Sequence, residues 1–291
     1  MRIVRKAARG NDSLNLDSRV IKGFGHEWLR FTNEALSEAE LREMFDSYTG
    51  IFPWEDLPAD AEGFDAGCGS GRWARFFAPR VGLLHCVDAS EAALDVAREA
   101  LSGHTNVEFR HEDLSSMGLA DRTCDFGYCL GVLHHIPDTG HALATCVAKL
   151  KPGAPFLVYL YYDLQGRGWL QRRMFDVATM VRAVVSRLPL RVRAVVTDVL
   201  AVVVYWPLAL VARLVEKIGW DPSLVPLFQY RNRSFYVMRN DALDRFGTRL
   251  EKRYSKEQVR LLLEGAGLEN VTFSDGPPWW VAVGWRRSDC K

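Results

Sequence analysis

Three groups of residues in this chain have the types and spacing to do chemistry. The first is the stretch Phe64–Trp73, FDAGCGSGRW, which sets Asp65 ahead of Gly67, Gly69 and Gly71. Phe64 and its neighbours read as a strand ending at Asp65. The alternate glycines let the backbone take positive φ and approach a ligand closely. Arg72, Trp73, Phe76 and Phe77 resume at helical spacing, with Trp73, Phe76 and Phe77 on one face. A strand, a glycine loop and a helix start together present bare N–H groups to an adenosine-type cofactor. Asp88 closes a second strand, Leu83–Val87, about twenty residues further on, where an acid can hold two ribose hydroxyls. The second group is His134 and His135, within GVLHHIPD at residues 131–138. An imidazole titrates near 6.5 and suits removal of a phenol or hydroxyl proton. The alternative is a pair that orients its loop by hydrogen bonds. Zinc binding is not expected, because adjacent side chains point apart and no third ligand is near, so no metal is assigned. The third group is Tyr161, Tyr162 and Asp163, candidate substrate contacts where the strand Phe156–Tyr161 ends.

The glycine pattern has rivals. A dinucleotide fingerprint needs a glycine where Arg72 stands, and a phosphate-binding P-loop needs a lysine that does not follow. What remains is D-x-G-x-G-x-G, or a plain turn. The residues that follow narrow the choice. Ser90 caps a helix through Leu94, Ala97 and Leu101. Val107–Arg110 is a third strand, leading into His111-Glu112-Asp113-Leu114. Asp125–Leu130 is a fourth, leading into GVLHHIPD, and KLKPG at 149–153 precedes the fifth.

In this order the motifs resemble the class I S-adenosylmethionine (SAM) dependent methyltransferases, including the group of quinone-biosynthesis enzymes. The resemblance covers about residues 61–163 and 250–287. It implies an α/β, Rossmann-like sheet, mostly parallel with the last strand antiparallel, and S-adenosyl-L-methionine as cofactor. Carried over residue by residue, Asp65 and Gly67, Gly69 and Gly71 hold the methionine moiety, and Asp88 holds the ribose. Asp113 and the Leu114 backbone hold adenine, and the Leu130 carbonyl takes the methionine amino group. His135, ahead of His134, is the candidate base beside the transferred methyl. Nothing marks the acceptor atom as oxygen, nitrogen or carbon.

Around these motifs the chain divides into four parts. Residues 1–60 form an N-terminal helical extension, read as a lid over the SAM site or as helix packed on the sheet. Residues 1–20 are read as loosely ordered, and a helix over Leu36–Tyr48 carries Leu41, Met44, Phe45 and Tyr48 on one stripe. Trp28, Phe31 and Tyr48 are its candidate contacts to the site, with Trp28 assigned to substrate. Ile51–Trp54 is a linker. Residues 61–163 alternate strand and helix, as a parallel sheet requires. Residues 164–249 are a helical insertion. Gly168–Leu188 is amphipathic, Pro189 breaks it, and a second helix runs over Arg191–Ile218. Within that helix Val199–Ala212 is unbroken apolar sequence bent by Pro207, shorter than the roughly twenty residues a bilayer requires. From Arg167 to Lys217 nine basic side chains face three acidic ones. Trp169, Phe175, Tyr205, Trp206, Trp220 and Phe228 suit a cap over a large apolar acceptor. The insertion is therefore a substrate cap, a dimer contact or an interfacial surface on anionic membrane. Residues 250–291 complete the sheet: Ser255 and Gln258 form a capping box, and Leu268–Phe273 and Trp279–Trp285 are the last strands.

Composition bounds the function. An apolar fraction of 48% is ample for a core, and a net charge of +1 points to no polyanionic partner and no nucleic acid. Cys68, Cys86, Cys124, Cys129, Cys146 and Cys290 show no zinc-ligand spacing and read as reduced thiols. MRIVRKAARGNDS has no apolar stretch, so no secretory leader is expected and the cytoplasm is the default. The sequence thus predicts an enzyme moving a methyl group from SAM to a small-molecule, saccharide or lipid-linked acceptor. The alternative is a SAM-binding scaffold that uses the insertion as a partner or membrane surface.

Overall fold

A computed structural model describes residue 15 and residues 17–32, 35–163 and 169–288, with 169–172 by backbone alone. Seven strands make one sheet: β1 (Glu62–Ala66), β2 (Leu83–Asp88), β3 (Val107–His111), β4 (Phe126–Leu130), β5 (Pro155–Tyr159), β6 (Leu268–Phe273) and β7 (Val281–Arg286). Their order is β3-β2-β1-β4-β5-β7-β6. All pair in parallel except β7, which runs antiparallel to both neighbours. The strand order reverses between β1 and β4, so a crevice opens at the carboxyl ends of those two strands. Both motif loops leave from there.

Helices α1 (Ser18–Arg30) and α2 (Glu38–Thr49) precede the sheet, and α3 (Ala74–Phe77), α4 (Glu91–Ala100) and α5 (Thr139–Lys149) flank it. The insertion supplies α6 (Trp169–Val185), α7 (Leu190–Leu200), α8 (Trp206–Lys217) and α9 (Phe235–Gly247), and α10 (Lys256–Gly265) leads into β6. Short polar side chains start these helices by accepting free N–H groups: Asp17, Ser37, Ser90, Asp138 and Ser234, and a full capping box at Ser255 and Gln258. One face of the sheet buries Phe64, Val87, Cys129 and Phe156 against Leu143, Val147 and Leu263. The other buries Leu84, Phe126 and Tyr128 against Phe45, Phe77 and Leu94. The insertion has its own core of Val185, Ala201, Tyr205, Met238 and Phe246.

Four expectations need correction. The helix after the glycine loop is a single turn, α3, which passes at Pro79 into a 3₁₀ turn, since proline offers no N–H to continue it. The N-terminal segment is fixed as early as Asn15, whose amide is buried and donates to Ser115 Oγ (2.6 Å) and the Asp138 carbonyl (2.8 Å). Residues 1–14 and 16 lie outside the described residues. The Ile51–Trp54 linker belongs to the core, where Phe52 and Trp54 pack on Phe77 at 5.5 and 4.7 Å. The apolar run Val199–Ala212, too short by itself for a bilayer, is part of a longer apolar helix. A π-turn at Ala201–Tyr205 takes up the missing N–H of Pro207, and α7 and α8 form one continuous helix, Leu190–Lys217, of 28 residues. That length and composition would cross a membrane. Five cysteines, Cys68 to Cys146, are free and buried, as expected, and Cys290 lies outside the described residues.

Candidate active site

The glycine loop is held from both ends. Gly67 and Cys68 donate their N–H groups to the Val87 carbonyl at 2.7 and 3.0 Å. Asp88 accepts from Gly69 N at 2.9 Å with one oxygen and from Ser90 N at 2.8 Å with the other. The carboxylate that ends β2 thus ties the loop to the start of α4. Burial raises its pKa, and these N–H groups oppose the rise. Two glycines are required by space as well as by φ. A Cβ on Gly67 (φ +80) would sit 2.5 Å from Val132, and one on Gly69 (φ +54) 2.8 Å from the Trp28 indole. Asp65 lies beneath the loop, 1% exposed, with Oδ2 unpartnered. Burial pushes its carboxyl up to about 8, with the Tyr128 hydroxyl pulling the other way.

Gly67, Asp88, Asp113, Leu114, Leu130, His135, Tyr161, Tyr162 and Trp28 line one cavity of about 870 Å³. That volume is near the upper end for small-molecule sites. Gly69 and Gly71 shape the loop without forming its wall. Tyr48, Phe175, Tyr205 and Phe228 join the wall as expected. Trp206 and Trp220 do not, being 50% and 67% exposed. Phe31 is buried edge-on to Tyr236 at 5.2 Å, outside the cavity. Asp163 is also outside the wall, and the Trp169 side chain lies outside the described residues.

The two histidines separate. His134 is fully buried behind Tyr161, stacked on its ring at 3.8 Å, and forms no part of the cavity wall. Burial depresses its pKa well below the usual imidazole value. His135 faces the cavity. Its Nδ1 is 2.7 Å from the Leu250 carbonyl, which can only accept, so Nδ1 carries the hydrogen and Nε2 keeps its lone pair in the neutral ring. Nε2 lies 3.6 Å from Asp244 Oδ1, and neither atom has a hydrogen-bond partner. The other Asp244 oxygen accepts from the Tyr161 hydroxyl. Burial raises the Asp244 pKa, with His135 opposing.

Asp244 belongs to α9, and with it comes a set of polar groups not singled out from sequence. Asn240, Asp241, Asp244 and Arg245 fall at helical spacing on one face of α9 and all line the cavity. Asn240 donates to Glu27 at 2.6 Å and accepts from Arg72 at 2.7 Å. The Arg72 guanidinium lies 5.1 Å over the Trp28 ring. Asp241 accepts from the Tyr205 hydroxyl at 2.8 Å and pairs with Arg245 at 3.4 Å. Burial, with Asp244 adding to it, raises the Glu27 carboxyl well above its ordinary value. The signal in the sequence was the string RNDALDRFG, polar at i, i+1, i+4 and i+5 from Asn240.

A glycine loop at the β1–β4 switch point, an acid closing β2 and a seven-stranded sheet with one reversed strand define a class I SAM-dependent methyltransferase fold. Residues 64–158 match the family model described as methyltransferase domain, and the chain carries a domain of that kind. Among curated relatives, the ubiquinone biosynthesis O-methyltransferase of Coxiella burnetii (strain Dugway 5J108-111) is 29% identical over 107 residues, covering 33% of this chain and 46% of that enzyme. The matched stretch thus spans about half the length of that relative. The enzyme of the same name from Alkalilimnicola ehrlichii is 36% identical over 91 residues, covering 31% of this chain and 37% of the other. Among solved structures, a phospholethanolamine N-methyltransferase 2 from Haemonchus contortus, in complex with phosphomonomethylethanolamine and S-adenosylhomocysteine, superposes with a TM-score of 0.50. It is 16% identical, covering 87% of this chain and 42% of that one, a likeness of fold.

Proposed function

We propose that the protein transfers the methyl group of SAM to a hydroxyl oxygen of a large, mainly apolar acceptor held beneath the insertion. The observation that carries this reading is the pairing of His135 Nε2 with Asp244 Oδ1. Two buried acceptors 3.6 Å apart, each without a donor, suit a hydroxyl proton. The O-methyltransferases among the relatives support the same atom.

The residues present fit the cofactor. Asp65 offers an unpartnered buried oxygen beneath the loop, and no Cβ fits at Gly67 or Gly69. In this reading Asp65 and the glycine loop hold the methionine moiety, Asp88 the ribose, Asp113 and Leu114 the adenine, and the Leu130 carbonyl the amino group. When bound, SAM supplies a methyl carbon on a positively charged sulfur, so the leaving group needs no assistance. The protein's part is to place the oxygen, exclude water and take its proton. His135 Nε2 would take the proton that the acceptor hydroxyl gives up. Asp244 stabilises the imidazolium that results, and the Leu250 carbonyl keeps the ring in the tautomer that can accept. Tyr161, Tyr162 and Trp28 contact the acceptor.

The apolar wall from the insertion (Phe175, Val181, Leu208, Phe228) favours an aromatic or lipid-linked acceptor over a free sugar. The protein is then a cytoplasmic enzyme that meets its acceptor at a membrane. The test is a mass-spectrometric screen of organic-solvent extracts incubated with protein and SAM. Products heavier by one methylene, absent with His135→Gln, are expected. S-adenosylhomocysteine binding without any such product would favour the scaffold reading.

A further inference from the structure

All the exposed large apolar side chains among the described residues, except Leu29, Phe235 and Leu261, lie between Met174 and Leu224. They are ordered. On the Leu190–Lys217 helix, Val192, Val195, Val199, Val203, Trp206 and Leu210 recur at three- and four-residue steps along one side. The opposite side, Ala194, Thr197, Ala201, Tyr205, Ala209 and Ala212, is buried and, apart from Tyr205, small. On α6, Val177, Met180 and Val184 are 59%, 68% and 66% exposed at matching steps. Both helices pack on α9 and touch each other, so their outer sides make one face.

The charges around this face have one sign in excess. Arg187 and Arg191 stand where α6 turns into α7, and Arg213 and Lys217 stand at the far end of α8. Of the nearby acids, Asp176 pairs with Arg173 at 3.8 Å and Glu216 with Arg231 at 2.8 Å, while Asp221 accepts from Ser223, which leaves the four basic side chains in excess. An apolar stripe with basic ends suits a surface that is apolar inside and anionic at its headgroups. The helix does not cross that surface in this fold. Asp198, inside it, pairs with Arg30 of α1 and accepts from Nε and Nη2 of Arg239 of α9, at 2.9 and 3.0 Å. Spanning would carry that cluster into hydrocarbon or break it. A helix held by that cluster can meet such a surface only along its side.

The face also continues into the cavity. Met174, Val177 and Val204 are exposed and line the cavity at the same time, so they form its rim on this side. We propose that the outer face of α6, α7 and α8 docks on an anionic bilayer surface, and that a membrane-dissolved acceptor enters the cavity across this rim. The docking half stands on the surface alone, and the entry half rests on the proposed acceptor reading.

The test is co-sedimentation of the full chain with vesicles of phosphatidylcholine, with and without phosphatidylglycerol, in the absence of SAM. Binding is expected with the anionic vesicles and is expected to weaken as salt rises. Arg187→Gln, Arg191→Gln and Lys217→Gln combined should weaken it by about a hundredfold. Val195→Glu, Val199→Glu and Val203→Glu combined should abolish it while leaving S-adenosylhomocysteine affinity unchanged, since none of the three lines the cavity. The arginine and lysine variant keeps the apolar side intact and reports independently should the valine variant misfold. Absence of binding to anionic vesicles at low salt would overturn the docking. So would a dimer in light scattering that the valine variant converts to monomer. If vesicles bind but do not raise turnover of a membrane-dissolved acceptor over the same acceptor in detergent, entry across the rim is refuted while docking stands.

Discussion

Replacing Asp244 by Asn tests the proposed chemistry with the least change of shape. In the wild type the carboxylate faces His135 Nε2 at 3.6 Å. Two effects follow from the substitution. The imidazolium formed during transfer loses a countercharge, worth at most about 4–5 kcal/mol at that distance for an effective dielectric near 20. The new amide can also donate to Nε2 and occupy the lone pair that takes the proton, adding about 1 kcal/mol. Solvent reaching the partly exposed Asp244 side chain reduces the first figure. Turnover should therefore fall roughly 10²–10³-fold. Calorimetry with S-adenosylhomocysteine should show nearly unchanged affinity, because Asp244 lies on α9, away from the glycine loop. The assay is release of S-adenosylhomocysteine under saturating SAM and acceptor. An Asn variant with wild-type turnover, or one whose whole loss is weaker cofactor binding, would refute the pairing of His135 with Asp244.

Three further outcomes follow from the same geometry. Asp88→Ala removes the acceptor for Gly69 N and Ser90 N as well as the ribose contact, and should weaken S-adenosylhomocysteine binding by about 1.5–3 kcal/mol in calorimetry. Gly69→Ala forces a Cβ to within 2.8 Å of the Trp28 indole at positive φ, and should lower thermal stability by about 1–3 kcal/mol. Intrinsic tryptophan emission would shift as α1 is displaced. Asp65 has a folded pKa of about 8, above its unfolded value near 4, so the ligand-free fold holds a proton that the unfolded chain releases. Its effect on stability is then a loss as pH rises from about 4 to 8, level above that. Asp65→Asn should flatten this slope in denaturant titrations of the ligand-free protein while weakening cofactor binding. An unchanged slope would show that Asp65 ionises normally.

The sheet was legible because β4 and β5 are short apolar runs and β1, β2 and β4 lead into loops with their own signatures. Asp65, Asp88 and Leu130 sit where strand periodicity stops and loop chemistry starts, so chain order alone placed them. The His134–His135 pair was legible as a pair but not as two roles. Which ring faces the cavity depends on the Leu250 carbonyl and the Tyr161 ring, which come from the segments after α9 and β5. The α9 residues were the largest omission. RNDALDRFG reads as the solvated face of a surface helix, and only the packing of α9 against α6, α7 and α1 turns it inward. Trp206 and Trp220 were misjudged for the converse reason, since aromatic residues in an apolar helix suggest a pocket wall, and here the small residues Ala194, Ala201 and Ala209 face inward instead. The apolar run Val199–Ala212 misled on length, because the helix continues past both of its ends and a π-turn accommodates Pro207 within it.

The account rests on methyl transfer to an apolar, hydroxyl-bearing acceptor. Its most direct test uses SAM labelled in the transferred methyl group, incubated with the protein and a solvent extract of cellular lipids and aromatic metabolites. Transfer of label into the organic phase is expected, in step with S-adenosylhomocysteine release, and lost with His135→Gln. Bound cofactor with no label in any extracted product, or label that His135→Gln leaves untouched, would contradict it.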